Sequence, residues 1–289
     1  MLSILSSNPN VLVQGITGQH GSFHTEAMLE AGTKIVAGVV PGGGGKSVHG
    51  VPVYNTIAEI QAQFSIDVSI VFVPAPFCKD ALLEAVAARI PLIICITEGL
   101  PVHDFLVIKQ LAIKNGVQIL GPNCPGVLMP SIGKFGIIPE SIGKPGKASI
   151  VSRSGTLAYE VTNALTEAGI GQRAVIGIGG DPVKGTTFVD CLRELQDDED
   201  TDSIVIVGEI GGQDEQLAAE YISHNQITKP IYAYIAGHYA PINQQLGHAG
   251  AIIRSGKETA AAKTELLEKV GVKTASSVDE LVRLVVASA

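Results

Sequence analysis

Short apolar, β-branched runs punctuate this chain at intervals of ~25–35 residues, and that spacing constrains the fold more than any other feature. They are Val11–Gln14, Ile35–Val40, Val68–Val73, Leu92–Ile96, Val117–Leu120, Ala148–Val151, Ala174–Ile176, Ile204–Val207 and Ile231–Ile235. Most lack the alternation of a half-exposed strand, as strands covered on both faces do. Between most of them lie amphipathic segments of helix length, such as Thr25–Ala31, Asp80–Ala88, Asp104–Asn115, Leu157–Ala168, Phe188–Leu195 and Asp214–Ser223. Strand and helix alternating in this way mean βαβ units and parallel sheets, so the spacing predicts an α/β fold.

The rhythm breaks once, at residues 121–147, which are rich in Gly and Pro and carry no helical period. That break predicts two doubly wound parallel-sheet domains, 1–122 and 148–289, with a connector at 123–147. A length of 289 residues suits this, since domains commonly run ~100–200 residues. Hydrophobic residues at 46% against 17% charged make a core-forming composition. A net charge of −8 with no basic stripe, and 4% aromatics with no Trp, argue against a nucleic-acid surface. No apolar run reaches the ~18 residues of a membrane span. Met1–Asn10 shows neither a signal peptide nor an Arg-rich transit peptide, so a bacterial cytoplasmic location is expected. Cys78, Cys95, Cys124 and Cys191 form no CxxC pair and no zinc-spaced cluster, so reduced thiols and no metal are expected.

The first strand runs into Gly15-Ile16-Thr17-Gly18-Gln19-His20-Gly21 and then a helix. Glycines there let backbone N–H groups approach an anion, and the helix N-terminus adds its positive dipole end. The spacing is GxxGxxG rather than GxGxxG, and the second strand ends Val39-Val40-Pro41 with no carboxylate for a ribose diol. A phosphorylated ligand other than NAD fits; a turn that needs small residues for steric reasons is the other reading. Val73-Pro74-Ala75-Pro76 and Ile96-Thr97-Glu98-Gly99 also lie at strand carboxyl ends, the edge at which open α/β sheets bind ligands.

In the second half, Ser152-Arg153-Ser154-Gly155-Thr156 follows a strand and opens a helix. Its hydroxyls can cap the helix, or its N–H groups can hold a phosphoryl group. Among seven histidines His248 stands apart, flanked by Gly247, Ala249 and Gly250. An uncrowded imidazole in such a loop can act as base or nucleophile, though a lone histidine is commonly inert. Glu209 ends the strand Ile204–Val207 within Gly208-Glu209-Ile210-Gly211-Gly212. It is placed either to fix an imidazole tautomer or simply to meet water.

Taken together, QGITGQHGSFHTEAM, VPAPFCKDA, ITEGLP, GPNCPG, VSRSGTLAYE, GIGGDPVKG, GEIGG and LGHAGAII resemble the α subunit of succinyl-CoA synthetase (succinate–CoA ligase) from end to end. The resemblance implies an N-terminal Rossmann-like domain that binds coenzyme A. It implies a C-terminal flavodoxin-like domain with a phosphorylated histidine. It further implies a β subunit of ATP-grasp fold that holds the nucleotide with Mg²⁺, in a heterodimer or heterotetramer. Position by position, it implies CoA contacts at Thr17, Gly18, Gln19, His20, Val73, Pro74, Ile96, Thr97 and Glu98. Tyr159 matches the substrate-associated tyrosine, His248 the phosphorylated histidine, Glu209 the glutamate that orients it, and Ser154, Gly155 and Thr156 the helix start facing the phosphate. The implied reaction, in the tricarboxylic acid cycle, is succinate + CoA + NTP ⇌ succinyl-CoA + NDP + phosphate.

The chain departs from the family in two places. Gly43 stands where a lysine is common, with Lys46 three residues on, and Gln244 and Gln245 stand where basic residues are usual. Other readings are a malate– or acetate–CoA ligase subunit, a non-catalytic CoA-binding protein and an NAD-linked oxidoreductase. The intact His248 with Glu209 disfavours the second, and the missing acid after the second strand disfavours the third.

Overall fold

The computed structural model describes residues 1–288; residue 289, the end of the expected 148–289 domain, lies outside the described residues. The chain divides into two compact units. The first comprises Met1–Val127, Ser131–Ile138 and Val183–Gly185. The second comprises Leu128–Pro130, Pro139–Pro182 and the chain from Thr186 onward.

The elements begin α1 (Leu2–Ser6), β1 (Val11–Gln14), α2 (Gln19–Glu30), β2 (Ile35–Val39), β3 (Ser47–Val48), β4 (Val51–Tyr54) and α3 (Ile57–Gln61). Then come β5 (Val68–Val71), α4 (Ala75–Ala87), β6 (Leu92–Cys95), α5 (Val102–Asn115) and β7 (Gln118–Leu120). These strands form a sheet in the order β3-β4-β2-β1-β5-β6-β7, parallel except for the β3–β4 edge pair. Without β3, this is the order 3-2-1-4-5-6 of the Rossmann fold. Strands β1, β5 and β6 are buried at every position, which explains their unalternated apolar sequence. The one amide in β1, Gln14, is buried with them, and its Nε2 donates to Ser69 Oγ (3.0 Å) and Ala81 O (3.2 Å).

Residues 123–147, expected as a connector, contain β8 (Gly126–Met129), β9 (Gly133–Gly136) and the first residues of β10 (Pro145–Ser152). Glycine hides these strands from a sequence reading. A Cβ at Gly126 would overlap the Phe135 carbonyl, and one at Gly136 would lie 2.9 Å from Gly126 Cα. Only glycines permit that crossing.

The chain continues with α6 (Gly155–Glu167), β11 (Gln172–Gly177), α7 (Phe188–Asp197), β12 (Ser203–Glu209), α8 (Asp214–His224), β13 (Ile231–Ala236), α9 (Ala260–Lys269), β14 (Lys273–Ala275) and α10 (Val278–Val286). The second sheet has the order β14-β13-β12-β10-β11-β8-β9. Its segment β11-β10-β12-β13-β14 is the flavodoxin order 2-1-3-4-5, every pair parallel. In each sheet the strand order reverses beside the first strand of the unit, between β1 and β5 and between β10 and β12.

Helices start earlier than apolar periodicity predicts. The helix expected from Thr25 begins at Gln19, capped by Gly18, and the one expected from Asp80 begins at Ala75 behind Pro74. Their first turns are polar or proline-bearing, so no apolar stripe announces them. Among the described residues no helix is long and apolar enough to cross a membrane. The β1–α2 turn depends on glycine at Gly21, where a Cβ would overlap the Gly15 carbonyl oxygen and lie 3.2 Å from Ile16 Cα. Replacing Gly21 with Ala is expected to cost about 1–3 kcal/mol, read as a lower urea midpoint for the first unit.

Candidate functional site

In the first unit, the residues singled out in sequence lie on neighbouring strand exits. Gly15 leaves β1 with φ +80°, and a Cβ there would meet Phe72 C at 3.1 Å and Val73 N at 3.2 Å. The backbone thus passes directly over the exit of β5, at the point where the strand order reverses. Thr17, Gly18, Gln19 and His20 are exposed, with Gln19 and His20 in the first turn of α2. Val73 and Pro74 leave β5, and Ile96, Thr97 and Glu98 leave β6. Thr97 ties the two exits, its Oγ1 donating to Val73 O at 2.7 Å while its carbonyl accepts from Asn123 N at 2.9 Å. After β2, Gly43 N donates to Val40 O in a tight turn. A Cβ at Gly43 would lie 2.9 Å from Val40 Cβ, whereas Lys46 is exposed.

Sequence reasoning passed over His24. Its ring stacks on Phe72 (centroids 5.6 Å apart, planes at 10°), and its buried Nδ1 makes no hydrogen bond. Burial first, then the nearby Lys134 and His20 charges, pull its pKa down to about 4.

In the second unit, β10 ends at Ser152 and β12 ends at Glu209, side by side in the sheet. Ser154 caps α6, its side chain accepting from Leu157 N at 3.3 Å and lying 3.2 Å from Thr156 Oγ1. The hydroxyl therefore acts as a cap, and Gly155 is the first residue of the helix. Tyr159 lies half-buried on α6. After β13 the chain runs irregularly through an exposed segment that includes Gln244 and Gln245. It takes positive φ at Gly237, Asn243 and Gly247, and Gln245 bridges to Ile252.

That segment brings His248 onto Glu209. His248 Nδ1 lies 3.0 Å from both Glu209 carboxylate oxygens, with the side chains 26% and 10% exposed. Small residues make the approach possible. A Cβ at Gly180 would overlap the His248 ring, and one at Gly211 would overlap the Gly250 carbonyl. Gly250 N donates to Gly180 O at 3.2 Å, and Ala251 N donates to His248 O at 3.0 Å.

Beneath Glu209 lies a group of charges that local sequence did not announce. Arg153 is 1% exposed, and Glu215 and Lys263 are fully buried. Burial alone disfavours each charge. Arg153 and Lys263 nevertheless hold the Glu215 carboxyl below its ordinary range. The carboxylates of Glu215, Glu209 and Asp214 hold the Arg153 guanidinium above its own. For Lys263 burial prevails over Glu215 and lowers the ammonium. Arg153 stands in sequence only within the stretch that opens α6, and Glu215 and Lys263 stand in none of the motifs.

Residues 6–99 match the CoA binding domain family, and residues 151–273 match the CoA-ligase family. A CoA-binding unit followed by a CoA-ligase unit defines the chain of an acid–CoA ligase. The chain is 49% identical over 285 residues to succinate–CoA ligase (ADP-forming) subunit alpha 2 of Archaeoglobus fulgidus, covering 99% of both. It is 50% identical over 273 residues to the alpha subunit of the Aquifex aeolicus enzyme, covering 94% of this chain and 89% of that one. Among solved structures it resembles ATP citrate lyase from Methanothrix soehngenii in complex with citrate and coenzyme A. The TM-score there is 0.86 at 26% identity, over 97% of this chain and 50% of the lyase chain. The chain belongs to the family of succinate–CoA ligase α subunits, as the motifs had implied.

Two measurements test this geometry. Gly180→Ala should displace the imidazole from Glu209 while the second unit stays folded, visible as a changed His248 resonance with unchanged far-UV circular dichroism. His24 should titrate near about 4 by NMR. Because its folded pKa is lowered, its contribution to stability is in place above the unfolded value of ~6.5 and is lost as pH falls toward 4, so His24→Gln should flatten acid sensitivity in that window.

Proposed function

We propose that the chain is the α subunit of a succinate–CoA ligase and that His248 carries the phosphoryl group between thioester chemistry and a nucleotide on a partner β subunit. The observation that supports this most is His248 Nδ1 held 3.0 Å from both oxygens of Glu209. With Glu209 as acceptor, Nδ1 carries the proton, and Nε2 becomes the nucleophilic nitrogen.

In the thioester-cleaving direction, a phosphate oxygen attacks the succinyl thioester carbonyl and the CoA thiolate leaves, giving succinyl phosphate. Nε2 of His248 attacks phosphorus, and the P–O bond to succinate breaks. The phosphoryl group then passes to a nucleoside diphosphate on the partner. Glu209 stabilises the imidazolium that forms, as a carboxylate behind a nucleophilic or basic histidine does. The N-terminus of α6 at Ser154, Gly155 and Thr156 is suited to the transferring phosphate, because backbone N–H groups and the helix dipole favour negative charge there. Tyr159, on the same helix, is assigned to the carboxylic acid substrate.

In the first unit, CoA is assigned to Thr17, Gly18, Gln19 and His20 with Val73, Pro74, Ile96, Thr97 and Glu98, the exits flanking the reversal of strand order. Its phosphates would meet the start of α2 and Lys46 rather than a side chain at position 43. Mg²⁺ belongs with the nucleotide on the ATP-grasp partner. Among the described residues of this chain no group of three or more His, Cys, Asp or Glu is arranged to hold a metal ion. The relatives are named ADP-forming, which makes ADP the acceptor to test first.

The test is labelling by γ-labelled ATP or GTP with the β subunit present. An acid-labile, base-stable phosphate on His248, discharged by succinate plus CoA, is expected. His248→Asn should abolish label and turnover while CoA affinity stays near that of the unaltered chain, and Glu209→Gln should slow labelling by about 100-fold or more. Discharge only by another carboxylic acid would change the substrate; no label with a competent partner would leave a CoA-binding protein.

A further inference from the structure

Glu209 is held by charge on every side. Its backbone N–H donates to Glu215 Oε1 at 3.1 Å. Its carbonyl accepts from Lys263 Nζ at 2.8 Å and from Arg153 Nη1 at 3.4 Å. Its carboxylate Oε1 lies 3.3 Å from Arg153 Nη2. Glu215 in turn pairs with both cations, Arg153 Nη1 at 3.1 Å and Lys263 Nζ in a short contact. Arg153 and Lys263 also converge on the Gly211 carbonyl, at 2.8 and 2.6 Å.

We propose that Arg153, Glu215 and Lys263 form a buried ionic cradle whose role is to position Glu209, and through it to fix His248 as the Nδ1–H tautomer. The inference rests on the reading of His248 as the phosphoryl acceptor. The three are positioning residues, acting through Glu209.

Several observations carry it. The cradle joins four elements at the reversal of strand order: the β10–α6 junction (Arg153), the end of β12 (Glu209), the first turn of α8 (Glu215) and α9 (Lys263). Charged donors and acceptors make shorter and stronger hydrogen bonds than neutral ones, so the two peptide groups that flank Glu209, one held through its N–H and the other through its carbonyl, fix the backbone that carries the carboxylate. The side chain that steers Glu209, Arg153, is followed directly by Ser154, the cap of α6. Arg153 therefore lies between the His–Glu pair, which it contacts through Glu209, and the helix start assigned to phosphate, which follows it in the chain. The remaining charge facing the cradle is Asp214, whose Oδ2 lies 3.7 Å from the buried Arg153 Nε. Two cations thus meet three carboxylates.

Stability is a poor reason to keep such a group. Desolvation cancels much of the attraction in a buried ion triad, and apolar residues of similar volume are often as stable or more so. Apolar side chains cannot hold a peptide N–H and C=O in one orientation.

The test is the double variant Glu215→Leu/Lys263→Met, which removes one charge of each sign, in the complex with the β subunit. It should unfold near the urea midpoint of the unaltered complex. Its His248 labelling should be slower by about 10–100-fold, the cost of a misplaced catalytic pair, with the KM for nucleotide unchanged. ¹⁵N NMR of histidine-labelled chain should show Nδ1–H in the unaltered complex and a tautomer mixture in the variant. Glu215→Asp keeps the charge but withdraws it by one methylene, and should shift rate and tautomer in the same direction even where the double variant does not fold. A folded double variant with unaltered rate and tautomer would overturn the cradle, as would an Nε2–H tautomer in the unaltered complex. Absence of any label on the unaltered complex would instead remove the phosphohistidine reading, a separate failure that the tautomer measurement does not share.

Discussion

The candidate sites in both units depend on a single topological constraint, the reversal of strand order in a parallel sheet. Parallel strands all exit at one edge, and right-handed crossovers send consecutive connections to one face until the order reverses. At the reversal two neighbouring exits turn away from each other and leave a crevice. In the first unit that happens between β1 and β5, where Gly15 lies against Phe72 and Val73. In the second it happens between β10 and β12, where Arg153 and Ser154 leave one strand and Glu209 ends the other. Residues far apart in sequence become neighbours there because the sheet allows no other route.

Close approach at these crevices is made in two physically different ways. One is the loss of a side chain. Gly180, Gly211 and Gly250 let three backbone segments and an imidazole occupy space that a Cβ would fill. The other is buried charge, which is costly unless every ion is paired. The pairing makes the second unit pH-sensitive in a definite sense. Glu215 is held below its ordinary range by Arg153 and Lys263, so its contribution is present above the unfolded carboxylate value of ~4.3 and is lost as pH falls through the folded one. Lys263 works the other way: its lowered pKa is a cost while the ammonium is charged, relieved as pH rises through the folded value.

Much of the fold was legible because buried parallel strands write themselves as unalternated apolar runs. Val11–Gln14, Val68–Val71 and Ile204–Val207 are strands for that reason, covered on both faces. What escaped was whatever glycine, proline or a polar first turn conceals. The start of α2 at Gln19 lies among polar residues, and β8 and β9 lie in a stretch whose glycines permit a backbone crossing. Small neighbours singled out His248, whereas Glu209 stood out only as a strand-end acid, and their pairing was implied by the family resemblance and not by local sequence. The grouping of Arg153, Glu215 and Lys263 was not readable, because pairs separated by 48 and 62 positions leave no local pattern.

The sequence alone determined the α/β class and the family, since apolar spacing sets strand type and an ordered series of motifs runs through the whole chain. Tertiary structure alone decided which strand exits stand together, that Gly180 must give way to the imidazole, and which buried charges grip Glu209. Those outcomes follow from strand order and side-chain packing, which bring together residues that no window of sequence contains.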